Sequence, residues 1–150
     1  MPVFDLPNDS ALPEGVDAFV FEQDTEYILR LDQEPRYPRE TVAALLEAAQ
    51  REPERVPGMV YAIEGPPLFL MAVIHDLTQE PSWREEWIAA AYHGIGYEVR
   101  ERAIGALVMP LLGTVHGRYD PILSLAMLEA GMRLNGVDPA VWVRYPTWSA

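Results

Sequence analysis

The chain has 150 residues, a common size for one domain, and 49% of them are hydrophobic, so a substantial core can form. Its formal net charge of -12 disfavours nucleic-acid polymers and anionic membranes as partners, because both are themselves negatively charged. The chain has no cysteine, and all 11 of its basic residues are arginine. These absences exclude disulfides, thiol nucleophiles, cysteine-ligated zinc and Schiff-base lysines.

The organisation of the chain is that of a single domain. No apolar run is long enough to cross a bilayer, and the N-terminus lacks the basic and apolar regions of a signal peptide. We therefore expect a soluble, cytoplasmic protein with one domain over residues 1–150. Residues 1–15 carry three prolines and little periodicity, which predicts an extended N-terminal arm.

The first half of the domain is predicted to contain a hairpin. Apolar residues dominate the segments 16–21 and 27–31, and the polar stretch 22–26 between them is typical of a loop that joins two strands. Helical spacing of apolar residues predicts a helix over residues 41–52.

Strands and helices alternate in the second half. We predict strands at residues 59–64, 68–75, 104–109 and 141–145. The unbroken apolar composition of 68–75 is typical of a strand that is buried on both faces. The alternation from residue 68 onward favours parallel pairing with right-handed crossovers. The predicted fold class is α/β, a three-layer sandwich with a mixed, largely parallel sheet.

Two helices of the second half are marked by start and stop signals. In chain order these are a capping box at Ser82 and Glu85, an N-cap at Asp120 before Pro121, and a helix stop at Asn135-Gly136. We predict that the first of the two helices begins at Ser82. Gly94 and Gly96 lie within it and indicate either close packing or a kink.

The strongest candidate for a binding site is the loop after the predicted strand 104–109, called the 113–118 loop below. Its residues are Gly113, Thr114, Val115, His116, Gly117 and Arg118. Ligands of open α/β sheets bind at the carboxyl ends of strands, and free backbone amides before a helix favour anions such as phosphate. Arg118 could add a charge-assisted bond and His116 a proton. The alternative is an ordinary tight connection, since Asp120 already supplies negative charge to the helix start.

A second candidate site is the pair His75-Asp76 at the end of the strand 68–75. If the two buried strands are neighbours, His75, Asp76 and His116 share one rim, and an aspartate beside a histidine can orient it as a base. These three residues are the weak catalytic candidates. The alternative is that Asp76 caps a turn and His75 bonds to the backbone, because adjacent strand residues point to opposite faces. With three scattered histidines, the sequence predicts no metal site and no cofactor.

Two segments, residues 73–76 and 106–114, resemble the second half of a macro domain. In that family a strand ends in a Val-Ile-His segment, and a later strand leads into a Pro-x-Leu-Gly-Thr-Gly type loop that wraps the diphosphate of the ligand. The order and spacing match over about residues 58–145. The resemblance implies a macro domain-like fold, binding of ADP-ribose or a related nucleotide and, in some members, hydrolysis of its esters. It assigns the diphosphate loop to residues 112–117.

The chain also departs from the family pattern. Val115 stands in place of the second glycine of the loop, and there is no Asn-Ala-Ala-Asn segment for the distal ribose.

Three hypotheses for the function follow. The first is a macro domain-like module that binds a nucleotide or another phosphate-bearing ligand at the 113–118 loop without catalysis. The second is an interaction or structural protein that keeps the fold and has lost the nucleotide site. It would use its acidic face, or the aromatic residues Trp142, Tyr145 and Trp148, to bind a protein or to form a homodimer. The third is a hydrolase of ADP-ribosyl or ester bonds with His75 or His116 as its base.

Overall fold

The computed structural model describes residues 1–7, 10–25 and 55–144. In these ranges the chain forms a six-stranded sheet. Its strands are β1 (Val3–Leu6), β2 (Ala18–Asp24), β3 (Val60–Ile63), β4 (Leu68–His75), β5 (Ala106–Met109) and β6 (Ala140–Arg144). Helix α1 spans Glu85–Glu101 and helix α2 spans Pro121–Leu134. Neither of these described helices is long and apolar enough to cross a membrane.

The strand order is β1-β6-β5-β2-β4-β3, and every neighbouring pair is parallel except β3 with β4. This confirms the predicted α/β class with a mixed, largely parallel sheet. Strand β4 is buried along nearly its whole length, as its apolar composition predicts. Strand β1 lies within the predicted N-terminal arm and forms one edge of the sheet beside β6.

Strand β2 is central in the sheet and overturns the start of the predicted hairpin loop. It pairs in parallel with β4 along its whole length and with β5 at Ala18 and Phe19, so its partners among the described residues are parallel strands from later in the chain. The strand also continues through Glu22, Gln23 and Asp24, all of which are buried. The loop prediction is wrong because these polar residues are accommodated inside the fold. The predicted strand 27–31 and helix 41–52 lie outside the described residues.

Two hydrophobic clusters hold the sheet, one on each face. The larger cluster joins the central strands to both helices and includes the fully buried side chains of Val20, Leu70, Ile74, Ile88, Leu107 and Leu128. The smaller cluster includes Phe19, Phe21, Phe69, Met71, Val73 and Val108. Successive residues of a strand alternate between faces, so Glu22 follows Ala18 and Val20 on the helix-covered side.

Helix α1 does not begin where the sequence predicts. It begins at Glu85 with Arg84 as its N-cap, and no side chain caps its first amides. The predicted capping box is wrong because the hydroxyl of Ser82 bonds to the side chain of His75 instead.

Helix α2 begins and ends as predicted. The Asp120 side chain accepts a hydrogen bond from the amide of Ile122 (2.8 Å), and Pro121 is the first helical residue. The helix ends at the C-cap Asn135, and Gly136 follows with a φ of +66°, a left-handed conformation that favours glycine.

Helices α1 and α2 cross at Gly96 and Gly131, so Gly96 of α1 reflects close packing at this crossing. A Cβ added at Gly131 would lie 2.7 Å from the carbonyl oxygen of Tyr92, and one added at Gly96 would lie 2.6 Å from that of Gly131. The Asn135 side chain spans the same crossing and donates to the carbonyl oxygens of His93 (3.1 Å) and Gly131 (2.9 Å). Backbone therefore packs directly against backbone.

We expect Gly131→Ala to lower the free energy of unfolding by about 1–3 kcal/mol, because the added methyl group meets rigid backbone. Gly94→Ala is the control, since its Cβ would first meet the side chain of Val60, at 3.0 Å. In that variant the gain in helix propensity of about 1 kcal/mol offsets the tighter contact. Urea unfolding followed by circular dichroism measures both variants. Equal unfolding midpoints would contradict the close crossing.

Candidate functional site

The carboxyl ends of β2, β4 and β5 meet at one edge of the sheet. Strand β2 ends just after Glu22, β4 ends at His75, and β5 leads into the 113–118 loop and then into α2. The predicted loop and the predicted histidine therefore lie at the same edge, although β2 separates their strands.

Glu22 is completely buried and binds the loop through both oxygens of its carboxylate. The amide of Gly113 donates to Oε1 (3.1 Å), and the amide of His116 donates to Oε2 (3.2 Å). Between them, the amide of Thr114 donates to the carbonyl oxygen of Leu111 (3.2 Å). The sequence favoured free amides at this loop, whereas in the structure these three donors are bonded within the protein. The physical reason is that a buried carboxylate needs hydrogen-bond donors, and the loop supplies two of them.

His75 is a further partner of Glu22. Its Nε2 lies 2.6 Å from Oε2 of Glu22, and its Nδ1 lies 2.8 Å from Oγ of Ser82. Both ring nitrogens therefore face protein groups, and the side chain has no exposed surface. The expectation that His75 bonds to the backbone is wrong, because its partners are side chains of β2 and of the segment before α1.

Asp76 caps a turn, as the structural alternative predicts. Its Oδ1 accepts hydrogen bonds from the amide (3.0 Å) and the hydroxyl (2.6 Å) of Thr78, and its Oδ2 accepts one from the side chain of Gln79 (3.1 Å). The hydrogen bonds from Thr78 are the main cause that lowers the pKa of Asp76. The carboxylate bonded to the ring of His75 is therefore that of Glu22, which corrects the pairing inferred from adjacency in the sequence.

The histidines of the two predicted sites come together at this rim. The rings of His75 and His116 have centroids 6.1 Å apart and are nearly perpendicular. Gly117 lets an indole approach the loop, since an added Cβ would lie 2.7 Å from Nε1 of Trp83. Trp83 in turn packs edge-on against Tyr119, with ring centroids 5.1 Å apart. One wall of the loop is therefore aromatic.

The side chains of the predicted loop differ in exposure. Val115 is buried, Thr114 and His116 are half-buried, and Arg118 is exposed. The hydroxyl of Thr114 donates to the carbonyl oxygen of Leu111 (2.6 Å). The structure thus gathers the whole predicted loop at one edge and presents the guanidinium of Arg118 to solvent.

A closed ring of hydrogen bonds holds the start of the loop. The amide of Leu112 donates to Oη of Tyr92 (2.7 Å), which lies 2.6 Å from Oγ of Ser124, and this Oγ donates to the carbonyl oxygen of Leu112 (2.7 Å). Because the Ser124 proton goes to the carbonyl oxygen, Tyr92 is the donor to Ser124. Every polar group of the ring is satisfied, and burial raises the pKa of Tyr92 well above its usual value.

Sequence reasoning missed Glu22, Tyr92 and Ser124 as residues of this site. One signal argued against placing Glu22 in a hairpin loop, because the stretch 22–26 has no glycine or asparagine, residues that tight hairpin turns favour. Tyr92 and Ser124 lie at helical spacing in their helices and look like ordinary packing residues.

The other candidate surfaces of the sequence are described only in part. Trp142 is half-buried and stacks on Phe4 of the neighbouring strand, with ring centroids 4.6 Å apart. Tyr145 and Trp148 lie outside the described residues. Within the described ranges, no group of three His, Asp or Glu residues is arranged to hold a metal ion.

Solved structures that share this architecture include several macrodomains. The macrodomain of Thermus aquaticus DarG matches with a TM-score of 0.67 over 96% of this chain and 98% of its own, at 18% identity. The macrodomain of Mycobacterium tuberculosis DarG matches with a TM-score of 0.63 over 95% and 99%, at 17% identity. A variant of the Oceanobacillus iheyensis macrodomain with ADPR matches with a TM-score of 0.63 over 88% and 78%, at 20% identity. No family model and no curated protein sequence matches the chain.

The chain is therefore an α/β domain with the macro domain fold. Its identity to these three structures is 20% or less, so it is a divergent example of that fold. The fold expected from the resemblance of residues 73–76 and 106–114 is confirmed.

We expect Tyr92→Phe to lower the free energy of unfolding by about 1–3 kcal/mol, because it leaves the buried Leu112 amide without its acceptor. Tyr97→Phe is the control, since Tyr97 lies on the same helix with an exposed side chain and its change should stay within about 0.5 kcal/mol. Chemical denaturation measures both. If the two variants prove equally stable, the hydrogen-bonded ring does not stabilise the loop.

Proposed function

We propose that this chain is a non-catalytic binding module whose ligand is a nucleotide or an ADP-ribose-type molecule with phosphate groups. The ligand would lie at the carboxyl edge of β2, β4 and β5, against the 113–118 loop. The observation that carries the proposal is the convergence of the Gly113 and His116 amides on one carboxylate. A loop that holds one anion through its backbone has the donor geometry that an anionic group of a ligand needs, and such a group would take these amides in place of the Glu22 carboxylate.

Two further observations support a phosphate-bearing ligand. Structures of the Oceanobacillus iheyensis macrodomain with ADPR and with ADP share their fold with this chain over 88% of its residues. Arg118 adds an exposed guanidinium to the same loop, and guanidinium groups bind phosphate through paired charge-assisted hydrogen bonds. In a chain with a net charge of -12, local donors of this kind have to attract the anion.

The binding module is proposed without catalysis because of the surroundings of His75. Ser82, His75 and Glu22 form a hydrogen-bonded chain with the residue types of a serine hydrolase triad. We assign this chain of bonds a structural role, since the side chains of His75 and Glu22 have no exposed surface. A general base has to reach its substrate within hydrogen-bonding distance.

A second candidate function is favoured by the carboxylate of Glu22, which occupies the amides of the 113–118 loop. The carboxylate of Glu22 already binds the amides of Gly113 and His116, so the chain can keep the fold without a phosphate position there. It would then be a structural or interaction protein that binds a protein partner or a second copy of itself. Sedimentation at increasing concentration tests self-association, and a monomer throughout would contradict the homodimer.

We expect isothermal titration to detect binding of ADP-ribose, ADP or AMP to the wild-type chain. Arg118→Ala should weaken this binding about tenfold or more, as expected for the loss of a charge-assisted hydrogen bond. Arg133→Ala is the control, because Arg133 is an exposed arginine in the last turn of α2, at the opposite edge of the sheet.

Two outcomes of this titration would contradict the proposal. Silence of the wild-type chain towards all of these ligands at millimolar concentration would reject the binding module and leave the second candidate. Equal affinities of Arg118→Ala and Arg133→Ala would show that the ligand lies away from the 113–118 loop.

A further inference from the structure

We infer that Glu22 is a specificity-determining residue, a built-in anion that competes with the phosphate groups of a ligand for the amides of the 113–118 loop. The inference rests on the proposed function for the kind of ligand. The competition itself can be tested without knowing the ligand, because inorganic phosphate would compete with the carboxylate for the same amides.

Among the described residues, three donors surround the carboxylate of Glu22 as they would surround a bound anion. They are the amides of Gly113 (3.1 Å) and His116 (3.2 Å) and Nε2 of His75 (2.6 Å). These donors come from β4 and from the loop after β5, and they converge on the oxygens of one side chain. Phosphate oxygens accept the same N–H donors at similar distances. A phosphate bound to these amides would therefore occupy the position of the carboxylate.

The carboxylate and a phosphate cannot use these amides together. The pairing of β2 with β4 places Glu22 opposite Ala72, which fixes the backbone from which the carboxylate extends. The side chain has no exposed surface, so water screens its charge poorly. Two anions a few ångströms apart in such surroundings repel each other strongly. A phosphate therefore reaches the amides only in those molecules from which the carboxylate has withdrawn, and its affinity is lowered by that fraction.

Asp17 provides an internal comparison. Its Oδ2 accepts hydrogen bonds from the amides of Gly105 (2.8 Å) and Ala106 (3.1 Å), so it too is a carboxylate beside β2 that binds two amides next to β5. Asp17 is exposed and lies at the amino edge of the sheet, whereas Glu22 is buried at the carboxyl edge, where ligands of α/β sheets bind. Substitution of Asp17 thus removes the same chemical interaction without opening the candidate site.

The test uses inorganic phosphate as its probe. Glu22→Gln keeps the size of the side chain and removes its charge, and Glu22→Ala removes the carboxyl group that binds the loop amides. Asp17→Asn and Asp17→Ala are the matched controls. Phosphate affinity is measured from amide chemical shifts and from melting temperature, against sodium chloride at equal ionic strength. We expect both Glu22 variants to bind phosphate at least about tenfold more tightly than the wild type, and the Asp17 variants to match the wild type.

Two results would overturn the inference. One is a folded Glu22→Gln variant with the phosphate affinity of the wild type. The other comes from the wild-type chain alone, in which we expect the amide resonances of Gly113 and His116 to stay unchanged in millimolar phosphate. A saturating shift of those resonances would show that the carboxylate does not exclude the anion. This second measurement needs only the wild-type chain, so it can overturn the inference even if neither Glu22 variant folds.

Failure of the competition and failure of the proposed function give different results. A wild-type chain that ignores ADP-ribose, together with a Glu22→Gln variant that gains phosphate binding, rejects the binding module and supports the competition. A wild-type chain that binds ADP-ribose as tightly as Glu22→Gln does supports the module and rejects the competition.

Discussion

The buried carboxylate of Glu22 is the interaction on which the carboxyl edge of the sheet depends. Removing an ionised carboxylate from water costs several kcal/mol unless donors surround it. In the part of the chain that the structure describes, these donors are His75 at the end of β4 and two amides of the loop after β5. Each donor requires its segment to lie in a particular place, so the charge fixes the positions of three strand ends relative to one another. Apolar packing alone would do so less specifically, because the hydrophobic effect is not directional.

The elements that could be predicted from the sequence are those with a local cause. The apolar run of β4 requires burial on both faces, wherever the strand lies in the sheet. Asp120 begins α2 and Gly136 follows its end through contacts within a few residues. For the same reason, the alternation of strands and helices after residue 68 predicted a largely parallel sheet, whereas the macro domain-like fold was inferred from the resemblance of residues 73–76 and 106–114 to that family. The 113–118 loop was also found from local signals, its glycines and its place after a buried strand.

The elements that were predicted wrongly owe their structure to more distant residues. Glu22 looks like part of a loop because a lone carboxylate in a buried strand is unfavourable, and its donors His75 and Gly113 lie 53 and 91 residues away. Ser82 looks like a helix cap because its hydroxyl precedes a helix, but His75 takes that hydroxyl as a partner. Patterns within a short window contain no information about such partners, so the occupant of the loop amides could not be predicted although the loop itself could.

Because of Glu22, the stability of the fold does not depend on a bound ligand. If the buried amides of a loop bind only a phosphate, they have no partner in the protein. Water then has to satisfy these donors before the ligand binds. In this chain the central strand satisfies two of them, so the loop keeps its shape without a ligand. An anion that binds to those amides has to replace another anion, and the free energy of its binding is the difference between two similar interactions. In the proposed function the ligand lies at the carboxyl edge of β2, β4 and β5, and in the proposed competition Glu22 determines which ligand chemistry that edge favours.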